Sequence, residues 1–150
     1  MKPIHLSLLI ASLLLGCGPA LNAESGQDQK RSGALTTVPV NLHHDRVSRD
    51  DGDATDWKKF TVTTEGTAMK FDIWWDEPDL DASVSLQDVF GATHATMKHV
   101  KGQRMEGWPA VAVPPGDWFL RIHASRGASV YTLAWTQVSA AGGGKPVRAF

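Results

Sequence analysis

Two acidic clusters are the part of this 150-residue sequence best suited, by residue type and spacing, to bind a metal ion. The first, RDDGDATD, precedes a predicted strand, and the second, WDEPDLD, contains a turn. Calcium takes about six to eight oxygen ligands from such closely spaced carboxylates and carbonyls. Neither cluster has EF-hand spacing, and aspartates are also common in turns because they cap the local backbone. We therefore expect no cofactor, with calcium as the alternative, for which the candidate ligands are Asp50, Asp51, Asp53, Asp56, Asp79 and Asp81.

A set of aromatic and basic side chains is the second candidate site. Alternation in WFLRIHA directs Phe119, Arg121 and His123 away from the core, and alternation in TAMKFDIWW does the same for Trp74. An exposed aromatic ring beside a cationic side chain forms a platform for a sugar ring or for a partner surface. The alternative is that a loop, a tether or the C-terminal tail covers this face.

Catalytic motifs and nucleic-acid signals are missing from the sequence. It has no GxSxG, no HExxH, no phosphate-binding glycine loop and no CxxC. His43 and His44 are adjacent, so on a strand they would face opposite sides and could not easily share a metal. The formal net charge of −1 gives no basic face for a nucleic acid. We therefore expect a protein that is not an enzyme and does not bind nucleic acid.

The N-terminus has the pattern of an export signal. Residues 1–16 combine a short positive start at Lys2 with an apolar stretch that is too short to span a membrane. The only cysteine, Cys17, follows this stretch directly, within the letters LLGC. These letters resemble the bacterial lipobox, which implies that the Cys17 thiol is acylated and that the acyl chains hold the protein on a membrane.

The destination of the exported protein follows from the residue after the cysteine. Gly18 stands where lipoproteins retained in the inner membrane typically carry aspartate, so the resemblance implies the outer membrane, with the leaflet left open. The alternative is cleavage by the ordinary signal peptidase after Ala20, where Gly18 and Ala20 are small residues at the two required positions, or after Ala23. A lone cysteine cannot form an intramolecular disulfide, and this favours the lipid anchor.

Period-two alternation dominates the middle of the chain and predicts half-buried strands. About eight short strands are separated by Gly, Pro and Asp turns, and no amphipathic helix of three turns is found. This arrangement predicts an all-β, antiparallel jelly-roll-like sandwich. The side chains predicted to face inward are Met69, Phe71, Ile73, Trp75, Ala82, Val84, Leu86, Trp118, Leu120, Ile122, Ala124, Tyr131, Leu133 and Trp135.

Three stretches of the sequence resemble the bacterial pre-peptidase C-terminal domain, a small jelly-roll β-sandwich. They are DWKKFTVT at 56–63, DLDASVSLQDVFG at 79–91, and PPGDWFLRIHASRGASVYTLAW at 114–135. Ala82 and Ser83 depart from the apolar-acidic run of the family's first hairpin, and Trp118-Phe119 take the place of its usual aromatic pair. The resemblance implies this sandwich fold and, as in some members, calcium in acidic loops.

The predicted organisation has four parts: a signal peptide at 1–16, a lipidated and flexible tether at 17–33, the sandwich at 34–138 and a flexible tail at 139–150. This family usually accompanies secreted peptidases, but the sequence leaves no room for a peptidase domain. We therefore expect a binding or scaffolding lipoprotein that contacts an envelope protein or polysaccharide, or a surface machine for adhesion, secretion or motility. The alternative is a periplasmic assembly factor for an outer-membrane or secreted protein.

Overall fold

A computed structural model describes residues 27–139 of the chain. The predicted signal peptide, Cys17 and the tail after Ser139 lie outside the described residues. Within them, one 3₁₀ helix, Arg31–Gly33, precedes nine strands. No helix in the described part is long and apolar enough to cross a membrane. The strands are β1 (Leu35–Thr36), β2 (His43–Ser48), β3 (Thr55–Val62), β4 (Thr67–Trp75), β5 (Asp81–Asp88), β6 (Thr93–Lys98), β7 (Met105–Ala112), β8 (Gly116–Arg126) and β9 (Ala128–Ser139).

These strands form two sheets. The five-stranded sheet has the order β1-β3-β8-β5-β6, and the four-stranded sheet has the order β2-β9-β4-β7. All neighbours are antiparallel except β1 and β3, which are parallel. The sheets enclose one apolar core between them. The prediction of an all-β sandwich is confirmed.

The alternation in the sequence identifies the core. Every side chain predicted to face inward is buried. Side chains of a strand alternate between its two faces, and the face with the apolar side chains packs away from water. Phe60 on β3 and Trp108 on β7 join them. Aromatic rings form a connected group in the core, with the Phe71 and Trp108 rings edge to face at 5.6 Å between centroids.

Strand β2 is the element that the sequence did not reveal. Its sequence HHDRVS places Asp45 and Ser48 in buried positions beside Val47, so it shows no apolar alternation. Pairing with β9, from His43 opposite Leu133 to Ser48 opposite Ala128, holds it in the four-stranded sheet. The expected number of about eight strands becomes nine for this reason.

The expected boundary between tether and sandwich at residue 34 needs a correction. Asp28 is buried, and its backbone carbonyl accepts a hydrogen bond from the Trp57 N–H on β3 at 2.8 Å. Residues 27–33 therefore pack along the outer edge of β3, ahead of β1. This segment belongs to the folded domain.

Loops gather at the two ends of the sandwich. One end, which we call the tip end, carries the β3–β4 connection (63–66), the β5–β6 turn (89–92) and the β7–β8 connection (113–115). The opposite end carries both acidic loops, at 49–54 and 76–80. The predicted calcium ligands and the β5–β6 turn are therefore separated by the length of the strands.

Candidate functional site

The four residues of the predicted aromatic surface do not share one face. Phe119, Arg121 and His123 alternate along β8 on the outer side of the five-stranded sheet, whereas Trp74 lies on the outer side of the four-stranded sheet. All four are half-buried. The core separates Trp74 from the other three, so they cannot bind one small ligand together.

The Phe119 ring is covered by the N-terminal segment. The Arg31 guanidinium lies 4.2 Å from the ring centroid, and its Nη2 donates a hydrogen bond to the Asp88 carbonyl on β5. Farther along β8, His123 Nδ1 is hydrogen-bonded to Thr55 Oγ1 at 2.8 Å. Burial, and then the nearby Arg121 charge, lowers the pKa of His123. Arg31, which lies in the segment predicted as a tether, therefore covers the Phe119 part of this face.

Basic side chains compensate the acidic loops. Asp51 accepts hydrogen bonds from Ser48 Oγ at 2.8 Å and from Arg46 Nη2 at 2.5 Å, and these bonds lower its pKa. Asp81 lies 3.2 Å from both Lys101 Nζ and Arg126 Nε, and its pKa is lowered chiefly by Lys101. Calcium in these loops stays a prediction.

Asp56 does not belong to an acidic loop. It begins the inward phase of β3 and is buried in the core, where its Oδ2 accepts a hydrogen bond from the Tyr131 hydroxyl at 2.7 Å. Its grouping with Asp50, Asp51 and Asp53 is therefore wrong. Burial raises the pKa of Asp56 from 3.8 to about 8, so this carboxyl is protonated at neutral pH.

Asp56 is part of a buried group of ionisable residues, which we call the Lys58 cluster: Asp28, Asp45, Asp56, Lys58 and Tyr131. The Lys58 side chain is 0% exposed, and its Nζ donates to Asp28 Oδ2 at 2.5 Å and to Asp45 Oδ2. Burial would lower the pKa of Lys58, but the carboxylates around it, Asp45 first, raise it. Burial also raises the pKa of Asp28 and holds that of Tyr131 well above 10.

The three carboxyl groups of the Lys58 cluster are the one set of metal-ligand type within the part of the chain described. Their oxygen atoms lie within 4.8 Å of one another. The Lys58 ammonium, however, already provides a cation that contacts two of these carboxylates. Lys58 therefore takes the place that a metal cation would have, and the cluster is arranged as an internal ion pair.

A second buried polar group closes the end opposite the tip. Glu106 accepts hydrogen bonds from Trp75 Nε1 at 3.1 Å and from the Val100 N–H at 2.7 Å, and it contacts His99 Nδ1 at 2.6 Å. His99 Nε2 meets the Pro78 carbonyl at 2.7 Å. These bonds join the β6–β7 and β4–β5 connections, which is a structural role.

The most exposed aromatic side chain in the described part is at the tip of the β5–β6 turn. Phe90 is 84% exposed and its neighbour Val89 is 50% exposed. Asp88 holds the turn, since its Oδ1 accepts the N–H groups of Phe90 and Ala92 at 2.9 Å and its Oδ2 contacts His94. A cleft of about 160 Å³ adjoins the tip and is lined by Asp88, Val89, Phe90, Pro114, Pro115, Gly116, Asp117 and Trp118.

A second exposed apolar set lies in the connection between β1 and β2. Val38, Val40 and Leu42 are all exposed there. Val40 has a φ of 71°, which is costly for a β-branched residue, and its N–H donates to the Trp135 carbonyl at 2.9 Å. This loop is held in a strained conformation.

Several of these residues have a recognisable signal in the sequence. Lys58 shares the inward phase of β3 with Phe60 and Val62, and a lysine in a core phase indicates a buried partner. Val89 and Phe90 are two large apolar residues between Asp88 and Gly91, which are residue types typical of turns. Asp28 carried no such signal, because no periodicity surrounds it.

The fold resembles that of a known domain at low overall sequence identity. No protein-family model matches the chain, and no curated protein sequence matches it. The pre-peptidase C-terminal domain of a collagenase from Bacillus anthracis has a similar structure, with a TM-score of 0.55 and 14% identity over 69% of this chain and 94% of that domain. The periplasmic inhibitor PliG of g-type lysozyme from Aeromonas hydrophila aligns with a TM-score of 0.41 and 15% identity over 70% of this chain and 98% of that one.

The comparison defines the class of fold. The chain has a β-sandwich like that of pre-peptidase C-terminal domains, as the resemblance in its sequence implied. At 14% identity this likeness is one of fold.

Proposed function

We propose that the protein is a non-enzymatic binding module of the cell envelope, anchored through acylated Cys17, and that it contacts a partner protein with the tip of its β5–β6 turn. The exposure of Phe90 beside a preformed cleft carries this proposal. A rigid aromatic anchor next to a pocket is the typical centre of a protein interface. The acid and base groups of the buried clusters have no comparable access to a substrate.

The chemistry of the tip favours a protein over a polysaccharide. A sugar platform needs an open aromatic face with polar groups around it, and Arg31 already covers the Phe119 ring. The cleft at the tip is instead lined by prolines, Val89 and the Trp118 indole, and its volume suits one apolar side chain of a partner. Polysaccharide binding is therefore the alternative outcome of the test.

Substitution of the tip is expected to reduce partner capture strongly. Phe90→Ala and Val89→Ser remove the exposed apolar surface while leaving the Asp88 hydrogen bonds of the turn, so the fold is retained. In crosslinking and pull-down from intact cells, each variant should lose at least about tenfold in partner recovery, as for a central interface residue.

Val100→Ser is the matched control, because Val100 is 54% exposed but lies in the β6–β7 connection at the opposite end. It should capture the partner normally. Equal recovery by all variants, or recovery of polysaccharide alone, contradicts the proposed interface.

The lipid anchor would keep the domain close to the membrane. The residues between Cys17 and the buried Asp28 form a short polar segment, LNAESGQ preceded by GPA. Even fully extended, at about 3.5 Å per residue, a segment of this length reaches at most about 40 Å. The proposed location is the outer membrane.

Cys17→Ser is expected to release the protein from the membrane fraction or leave its signal peptide uncleaved, without loss of the fold. The physical reason is that the thiol is the acyl acceptor, so serine at this position cannot carry the lipid. Fractionation and labelling with a radioactive fatty acid measure this. A variant that stays in the membrane fraction with normal processing rules out the anchor.

Protease treatment of intact cells separates the proposal from the periplasmic assembly factor. A module exposed on the cell surface is degraded, whereas a periplasmic factor is protected until the outer membrane is opened. The same samples report tip-dependent capture, so location and binding are tested independently.

A further inference from the structure

The Lys58 cluster contains the parts of a self-forming covalent crosslink. We propose that Lys58 Nζ and the Asp45 carboxyl condense to an intramolecular amide bond that joins β3 of one sheet to β2 of the other. Both side chains are buried, and they belong to strands on facing sheets. The bond would be a modification that fastens the two layers of the sandwich together.

The two reacting groups are held against each other by the fold. Lys58 Nζ contacts Asp45 Oδ2. The other oxygen, Asp45 Oδ1, accepts the Arg46 backbone N–H at 2.8 Å. A backbone donor at this position polarises the carboxyl carbon and stabilises the negative charge that develops on Oδ1 during attack. This donor is the reason for assigning the amide to Asp45.

Two further carboxyl groups are placed to move protons. Asp28 Oδ2 lies 2.5 Å from Lys58 Nζ and is positioned to accept a proton from the ammonium. Asp56 is two residues before Lys58 on the same face of β3, and its oxygen lies within 4.8 Å of those of Asp28 and Asp45. The pKa of Asp56 is raised to about 8 by burial, so it is a neutral acid at neutral pH.

The reaction balances without an added reagent. Asp28 accepts a proton from the Lys58 ammonium, and the freed lone pair on Nζ attacks Asp45 Cγ while Asp56 protonates Oδ2. The Nζ–Cγ bond forms, a second proton passes from Nζ to Oδ2, and the Cγ–Oδ2 bond breaks to release one water. The proton on Asp28 returns to Asp56, and no group is oxidised or reduced.

The environment favours the amide over the ion pair. Groups held in contact react as if at effective molarities of about 10⁵ to 10⁸ M. Condensation replaces a buried ammonium and a buried carboxylate by a neutral amide, and this removes the desolvation cost of the pair. The closed core also keeps out the water that would hydrolyse the product.

Peptide mapping of the full-length, membrane-extracted protein tests the bond directly. Trypsin cleaves after Arg31, Arg46, Arg49 and Lys59, and after Lys58 only when its amine is free. Asp45 therefore lies in the peptide 32–46, and a linked Lys58 lies in the peptide 50–59. The amide predicts that these two peptides are recovered as one species, lighter than their sum by one water. Fragmentation should place the link between Lys58 and Asp45.

Variants identify the chemistry behind the link. Lys58→Arg should abolish the joined species completely, and Asp56→Asn should abolish it or reduce it by at least about tenfold, because a positioned acid contributes about 10² to 10⁴ in rate. Lys59→Arg is the matched control, since Lys59 forms a surface pair with Asp117, and it should retain the link.

The wild-type protein decides the proposal even if a variant fails to fold. Separate, full-mass peptides from folded wild-type protein overturn it and leave an ordinary ion pair. A link to Asp28 overturns the assignment to Asp45, and it is recognised because Asp28 lies in the peptide that ends at Lys30.

Discussion

Replacement of Lys58 by methionine is expected to lower the free energy of unfolding by about 3–5 kcal/mol. Methionine has a similar length but no charge, so Asp28 and Asp45 would remain buried without the cation that compensates them. Methionine also cannot form the proposed amide with Asp45, and this loss acts in the same direction. Breaking one partner of a buried pair costs far more than the pair contributes, because the remaining charge is desolvated. Urea unfolding, followed by intrinsic tryptophan fluorescence, measures the change.

Lys59→Met gives the comparison that isolates burial. Lys59 is the next residue in the chain and pairs with Asp117 at 2.6 Å, but both side chains are more than a third exposed. Its removal should cost less than about 1 kcal/mol. If the two substitutions lowered the midpoint of unfolding equally, Lys58 would not be the charge that neutralises the core.

The second large effect is a loss of stability as the pH rises from about 4 to about 8. The pKa of Asp56 is 3.8 when the chain is unfolded and about 8 in the fold, so the folded protein binds the extra proton throughout this window. The stabilisation by this proton is complete below pH 3.8, the pKa of Asp56 in the unfolded chain, and it is lost as the pH rises through about 8, the pKa of Asp56 in the fold. The slope reaches at most about 1.4 kcal/mol per pH unit.

Asp56→Asn is expected to flatten this slope, because the amide keeps the shape of the carboxyl but does not titrate. The pKa of His123 is lowered in the fold, so the stability that His123 contributes rises with pH until the pH reaches about 6.5, its pKa in the unfolded chain. This rise partly opposes the loss caused by Asp56. The clearest window is therefore from pH 6.5 to 8. Thermal unfolding of the wild type and of Asp56→Asn at several pH values measures the two slopes of stability against pH.

The comparison depends on slopes and not on absolute stabilities, since Asp56→Asn also lacks the acid that the proposed crosslink needs. A variant with the same slope as the wild type would place the titrating group elsewhere. The direction of the effect also distinguishes Asp56 from Asp51 and Asp81, whose lowered pKa values give stability that is lost in acid.

Where apolar residues alternate, the sequence predicted strands and core correctly. β4, β5, β8 and β9 each have an uninterrupted apolar phase, and that phase is buried in the structure. Successive side chains of a strand point alternately to the core and to solvent, so alternating apolar residues indicate a strand even when its partner strands are unknown. β2 was not predicted because its inward-facing positions include Asp45, a charged residue whose burial is compensated by Lys58 from another strand.

Site prediction failed where pairing between distant segments decides the outcome. The sequence directed Trp74 and Phe119 outward, but their sheets place them on opposite faces of the sandwich. Asp56 was predicted to lie in a loop because it follows Asp50, Asp51 and Asp53 closely in the stretch RDDGDATD. Its actual environment comes from Tyr131 and Lys58, and neither contact follows from local sequence.

The sequence by itself thus determined the sandwich class and its apolar core, because both follow from the local period of side chains along a strand. Only the tertiary structure brought Asp28, Asp45, Asp56 and Lys58 together, and only it left Phe90 beside a cleft while Arg31 covered Phe119. These groupings join residues from separate strands and segments. Their energies depend on burial and on compensating charge, which exist only once the sheets have packed.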